Sequence, residues 1–432
     1  MKRMGEARSA AAKLIGMPAK EDMTILIDHH YTSKVYTCGS TVSGILKLVP
    51  RCDVRFDFVQ INLLGSASIH REHIYVTTHR THLFLRLDMP VPESTYPTPR
   101  VYRAGTTYTI PFRFTVPHNL PENSCRHPVE SDSIRSRHLQ LPSSLRGWDK
   151  DDLSPEMTIV KYFVTARALE LIGGEGKRIP VVKMEAEHAL KLLTASPEDP
   201  PMIIAKHNTH FALEETRTLR GNILSSSSGR ITARSSQPEA IRLNADGHGA
   251  RGSSVHIEFI FKPSTAEALP PQVTVNSAKI TAHTWGSPQP IRDLPEMGSG
   301  VEPFVLSTRV VMDSVSTASW TTHVDPPDRE TAGKSHRHDS PVTHKTSMKI
   351  SFRLPTSTHV FPPTFYSCLL SRTYCLTIGL SAGGRRLRLI LPVQVAMEPE
   401  AEHTETSPDD ELPTWQEACG SIARGGYADA FV

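Results

Sequence analysis

The stretch MPVPESTYPTPRVYRAGTTYTIPFRFTV, residues 89–116, sets two textures side by side. Pro90, Pro92, Pro97 and Pro99 each remove a ladder donor and fix φ, so residues 89–100 read as an extended connection crossing the outside of a sheet. From Thr107 the chain alternates, and Tyr108, Ile110, Phe112, Phe114 and Val116 fall on one face. A period of two is the mark of a half-buried strand. Pro111 within that run points to an edge or a bulge.

The same texture extends in both directions. Segments 24–28, 41–48, 56–65, 82–87 and 158–169 are alternating or short continuous apolar runs bounded by turn residues, as at Cys38-Gly39-Ser40. A second β-rich stretch begins near Phe211, with candidate strands at 216–224, 230–235, 255–262, 272–285, 305–312, 347–354, 374–380 and 387–395. Composition agrees: 34 prolines and 25 glycines against 6% aromatic residues suit many turns rather than long helices. Strands at this density favour antiparallel sandwiches over a parallel α/β sheet.

A chain of 432 residues exceeds what one hydrophobic core usually serves, so two domains with tails are expected. Residues 194–201, TASPEDPP, lack large apolar side chains and read as the connector. The expected divisions are an amino-terminal extension 1–22, a first sandwich 23–200, a second 201–398 and an acidic, disordered tail 399–432. The extension is basic and alanine-rich, without the continuous apolar core of a secretory signal. An in-frame start at Met23 would remove it without touching the fold. In 183–193, Ala186, Ala189, Leu190 and Leu193 fall at helical spacing, so the residues themselves allow a short helix or a closing strand.

Two blocks carry a family resemblance. Residues 89–117, followed by Ser124-Cys125-Arg126-His127, by HLQLPSSLRG at 138–147 and by DLSPEM at 152–157, resemble the amino-terminal domain of fungal arrestin-like proteins. FPPTFYSCLLSRTY at 361–374 is similar to the late segment of an arrestin carboxy-terminal domain. The likeness covers about residues 23–398 and is thin between 170 and 350. It implies an all-β chain of two tandem immunoglobulin-like sandwiches of the arrestin type, and it favours a strand at 183–193. It further implies an adaptor that binds a membrane transporter or receptor and couples it to endocytic trafficking or ubiquitylation. A retromer-like or coat-like structural role on a similar fold is the alternative.

Chemistry-bearing motifs are sparse. The chain has no G-x-x-x-x-G-K-[ST] loop, no G-x-G-x-x-G after a strand, no G-x-S-x-G elbow and no H-E-x-x-H, so no catalytic residue and no cofactor is expected. Asp151-Asp152 reads as a pair of loop carboxylates in polar surroundings, not an acid-catalysis site. Among 21 histidines, His323, His336, His338 and His344, with Asp339, lie in a loop rich in Ser, Thr and Pro and read as solvated; a metal-dependent enzyme built there is the less favoured reading. The six cysteines, Cys38, Cys52, Cys125, Cys368, Cys375 and Cys419, form no C-x-x-C pair, which argues against structural zinc and against a secreted disulfide framework. A reduced, cytoplasmic setting fits that pattern. No apolar run approaches the roughly 18 residues of a membrane span.

Binding residues are more legible. Net charge is only +3, so no global field would hold the chain to nucleic acid. Arg385, Arg386 and Arg388 cluster at a turn and strand start, where guanidinium groups could meet a phosphorylated tail or an acidic lipid. Arg126, Arg135 and Arg137, with His127 and His138, form a second basic cluster. The family resemblance directs attention to a P-P-x-Y motif for HECT-type ubiquitin ligases. It is absent: Pro362-Pro363-Thr364-Phe365 lacks the tyrosine and reads as buried. Leu412, Pro413 and Trp415 in the acidic tail are the degenerate candidate for ligase docking.

Overall fold

Strands form where alternating or continuous apolar runs end in turn residues, and helix is confined to short pieces. The computed structural model describes residues 22–72, 77–173, 178–204, 208, 210–219, 228–244, 246–265, 267–297, 302–324 and 342–397. The first half holds β1 (Met23–Ile27), β2 (Thr41–Leu48), β3 (Val54–Arg55), β4 (Phe58–Glu72) and β5 (Thr77–Met89). It continues with β6 (Val101–Tyr102), β7 (Tyr108–Thr115), the helix α1 (Asp132–His138), β8 (Thr158–Ile172) and β9 (Ile179–Leu190). The second half opens with β10 (Glu214–Leu219), β11 (Gly229–Arg234), β12 (Ile241–Arg242), β13 (Ser253–Pro263) and β14 (Val273–Gly286). β15 (Phe304–Arg309), β16 (Val311–Thr317), β17 (Thr321–Val324) and β18 (Val342–Arg353) follow. β19 (Phe365–Tyr366), β20 (Leu370–Ala382), β21 (Arg385–Val393) and β22 (Val395–Ala396) close it.

The chain is all-β and the pairings are antiparallel except β12 with β22. In the first half a three-stranded sheet, β1-β2-β7, shares a core with a four-stranded sheet, β5-β4-β8-β9. Ile110, Phe112 and Phe114 are buried on β7 while their neighbours are exposed, and β7 is an edge strand, as Pro111 indicated. In the second half β10-β11-β13-β18-β16, with β17 also on β18, shares a core with β15-β14-β20-β19, where β21 pairs β20.

Segment 183–193 is mostly strand, as the family likeness favoured and the helical spacing did not. On β9, Met184, Ala186, His188 and Leu190 turn inward while Glu185, Glu187 and Ala189 are exposed. Pairing with β8 from Ile172↔Ile179 to Tyr162↔Leu190 supplies backbone partners that a lone two-turn helix could not match.

The chain through Pro399 is one compact unit, and its buried apolar residues gather into two cores. Each half lends residues to the other's core. Leu153 and Leu193 pack in the second, and Phe365, Leu369 and Leu370 pack in the first. The 194–201 segment is tied down between them: Ser196 exchanges backbone hydrogen bonds with Met397 at 2.9 and 3.0 Å, and its Oγ donates to the Thr364 carbonyl at 2.7 Å. The HLQLPSSLRG block is a pin of the same kind. Ser144 Oγ accepts from the Leu192 amide and Ser143 Oγ from the Thr194 amide, both at 3.0 Å.

Arg372 lies at the crossing and is fully buried. Its guanidinium donates to the Leu153 carbonyl at 2.8 Å, to the Asp152 carbonyl at 3.2 Å and to Ser154 Oγ. The expectation of polar surroundings for Asp152 is corrected here, because its side chain is buried and accepts from the amides of Arg146 at 2.6 Å and Ser154 at 3.1 Å. His283 is buried near this charge, and burial foremost, then His210 and Arg372, lowers its pKa to about 4.

Two outcomes are expected. Phe112→Ala lowers unfolding free energy by about 3–5 kcal/mol in denaturant titration, because a truncated core aromatic loses transfer energy and leaves a cavity. His283 is neutral in the folded chain down to about pH 4, whereas an unfolded histidine takes up its proton near pH 6.5. Folded stability is therefore complete above about pH 6.5 and declines as pH falls toward 4. Relative to His283→Met, the wild type loses up to about 3 kcal/mol across that window. Parallel stability profiles for the two proteins would reject the assignment.

Candidate interaction surface

A groove of about 610 Å³ runs between β5 and the loop that precedes α1. Arg80, His82, Arg86, Arg126 and His127 line it, without a carboxylate among its lining residues. Leu83 and Leu369 give it apolar surface, the second of them from the opposite half of the chain. On the β5 side the pairing register shifts between Leu83 and Leu85, so that Arg86, beyond the shift, lines the groove together with Arg80 and His82. Burial foremost, then His127 and Arg80, lowers the His82 pKa, so its imidazole is neutral at pH 7. Arg86 pairs with the exposed Asp88 at 2.9 Å, and Arg126 Nε donates to the Asn123 carbonyl at 3.0 Å.

β5 is the outer strand of its sheet. An outer strand offers unpaired amides and carbonyls to an extended peptide, while side chains beside it select the sequence that docks. The groove therefore combines a strand edge with positive charge.

The basic cluster read from sequence is dispersed by the fold. Only Arg126 and His127 reach the groove. Arg135 turns inward and donates to the Cys125 carbonyl at 2.8 Å. Arg137 pairs with Asp199 at 2.7 Å and lies 5.2 Å from the Tyr366 ring centre. The Tyr366 hydroxyl donates to the buried Glu296, whose carboxyl pKa is raised mainly by desolvation. Successive residues of a helix point about 100° apart, so positions 135 and 137 cannot share one face.

Arg385, Arg386 and Arg388 stand on the β20–β21 hairpin, whose turn is Gly383-Gly384. Both glycines have positive φ, +50° and +76°, as a two-residue hairpin of this twist requires. Glu215 of β10 reaches this hairpin, accepting from the Arg388 amide and pairing with Arg217. A carboxylate thus stands beside these arginines, unlike those of the groove.

Other sequence candidates fall elsewhere. Residues 361–376 are buried throughout, including the near-motif at Pro362 to Tyr366. The loop reading of His323 and His344 is corrected: they lie on the paired strands β17 and β18, where His344 shares a 3.1 Å hydrogen bond with Thr322. His336, His338 and Asp339 lie outside the described residues, as do Leu412, Pro413 and Trp415, the tail 399–432 and all of the extension but Asp22.

Sequence reading missed one group altogether: Cys125, His127, His138 and Cys368, whose ligand atoms all lie within 4.8 Å of one another. Cys125 and His127 precede α1, His138 ends it, and Cys368 sits in the turn between β19 and β20. Nothing local in the sequence marks Cys368 as a neighbour of the other three. The Cys-x-His spacing was the available signal. Searched against protein-family models and curated proteins, the chain matches none. Among the described residues, no helix is long and apolar enough to cross a membrane.

Proposed function

We propose that this protein is an arrestin-like adaptor of two joined β-sandwiches that captures an acidic or phosphorylated segment of a membrane transporter or receptor. In this reading it works in the cytoplasm, is drawn to the plasma membrane or endosomes by its cargo, and couples that cargo to endocytic trafficking or ubiquitylation. The tail at 399–432, with Leu412, Pro413 and Trp415, is the part assigned to ligase recruitment.

The observation that carries the reading is the groove with three arginines and no carboxylate in its lining, set along the outer strand β5. Phosphate and carboxylate groups pair with guanidinium through short, charge-assisted hydrogen bonds, and a strand edge holds the peptide backbone that bears them. Apolar surface at Leu83 and Leu369 would accept a neighbouring aliphatic side chain. The hairpin arginines rank second because the Glu215 carboxylate, which accepts from the Arg388 amide, repels an incoming anion there.

The test compares a labelled, doubly phosphorylated peptide with its unphosphorylated form by fluorescence anisotropy. Replacing Arg80, Arg86 and Arg126 together by Gln should weaken phosphopeptide binding by about tenfold or more at low salt, roughly 1.4 kcal/mol or above. The loss should shrink at high salt, where screening already suppresses such contacts. Melting should hardly change, since exposed charges contribute little to stability. Replacing Arg385, Arg386 and Arg388 by Gln should have the smaller effect. If only the hairpin variant loses binding, recognition lies on that hairpin; if neither does, the adaptor reading loses its support.

A further inference from the structure

The Cys125, His127, His138 and Cys368 group has the composition and dimensions of a four-coordinate site. Zinc sits about 2.3 Å from sulfur and about 2.0–2.1 Å from nitrogen, so tetrahedral geometry separates sulfur and nitrogen ligands by about 3.5 Å. Cys125 Sγ lies 3.5 Å from His127 Nε2 and 3.7 Å from His138 Nδ1. These two contacts have the length of two edges of such a tetrahedron, and the Cys368 sulfur, within 4.8 Å of the other donors, supplies the fourth corner.

The surroundings prepare the donors. His127 Nδ1–H donates to the Pro128 carbonyl at 3.0 Å, which fixes the tautomer and turns the Nε2 lone pair toward the cluster. Arg135 Nη1 donates to the Cys125 carbonyl at 2.8 Å and comes within 4.0 Å of its sulfur, which fixes the backbone that carries this ligand. Cys125, His138 and Cys368 are buried, and His138 Nε2 has no hydrogen-bond partner among the described residues.

We infer that Cys125, His127, His138 and Cys368 bind a structural zinc ion that clips the α1 segment of the first half to the β19–β20 turn of the second. Binding converts two thiols to thiolates and releases two protons, so the site is electrically neutral once filled. Four protein ligands leave no open position, which makes the ion a staple and not a reaction centre. Soft sulfur with imidazole in tetrahedral array selects zinc over magnesium or calcium. The absence of a C-x-x-C pair weighs only local spacing, whereas here the second cysteine comes from the far end of the chain. This inference stands independently of the adaptor reading.

Cobalt(II) provides the decisive probe, because tetrahedral thiolate coordination gives intense visible ligand-field bands and a sulfur-to-cobalt charge-transfer band that surface histidines cannot produce. The full chain, purified under reducing conditions, is assayed for zinc by mass spectrometry, stripped with chelator and titrated with cobalt. Expected are close to one zinc per chain as purified, saturation of both band sets at one cobalt equivalent, and their loss on adding zinc. Cys368→Ser should abolish the charge-transfer intensity contributed by that sulfur. His127→Ala, at the half-exposed ligand where folding is least at risk, should weaken cobalt binding by about tenfold or more. Wild-type protein without these bands overturns the inference. So do bands unaltered in both Cys125→Ser and Cys368→Ser.

Discussion

The buried guanidinium of Arg372 is the constraint around which the two halves are arranged. Removing such a charge from water costs several kcal/mol, and the cost is tolerable only where fixed dipoles replace the lost solvent. Here those dipoles belong to the other half, in the carbonyls of Asp152 and Leu153 and the hydroxyl of Ser154. The loop that presents them is held in shape by the Asp152 carboxylate, which accepts two of its amides. If the halves were undocked, Arg372 would lose these partners and the two carbonyls would lose their donors. The strand β20 and the 152–154 loop therefore stabilise each other, and the exchange of Leu153 for Phe365, Leu369 and Leu370 between the cores follows the same path.

Docking also builds the surface that binding would use. The groove takes Arg80, His82, Arg86, Arg126 and His127 from the first half, and Pro290, Cys368 and Leu369 from the second. Neither half alone encloses it. The proposed zinc site occupies the same seam, with His127 and Cys368 shared between cluster and groove. An ion there would restrain the backbone next to Arg126 and so reduce the ordering cost of anion capture.

How far the sequence discloses this depends on the range of the interaction. Alternation is local, so the strands of β7, β8, β13, β14 and β20 are legible from residues 108–115, 158–169, 255–262, 272–285 and 374–380. The inward face of β9 is not, because Ala186, Ala189 and Leu190 satisfy a helical spacing and a strand spacing is selected only by pairing with β8. α1 was missed although Ser131 is a capping residue followed by the acidic Asp132; Ser131 accepts from the Ile134 amide at 3.3 Å. Arg372, Glu296 and Cys368 were beyond reach, since each owes its role to a partner distant in sequence. The grouping of Arg126, Arg135 and Arg137 failed for a different reason: closeness along a chain says little about direction once a helix intervenes.

The charge on β5 invites a plainer explanation, that it protects an outer strand from pairing with another chain. The opposite edge of the same sheet shows what such protection looks like here. Along β8 and β9, Lys161 pairs with Glu187, Arg167 with Glu185 and Lys183 with Glu170, at 3.7, 3.6 and 3.0 Å, so the charges there are compensated. Mixed pairs of this kind keep an edge soluble without mutual repulsion. The groove beside β5 departs from that pattern: Arg86 has Asp88 near it, but Arg80 and Arg126 meet no carboxylate in the lining. Like charges held within one groove repel each other, and an anion relieves that repulsion. Edge protection accounts for charge on β5; it does not account for charge of one sign facing an apolar floor. A ligand carrying negative charge and a short apolar side chain satisfies both features at once.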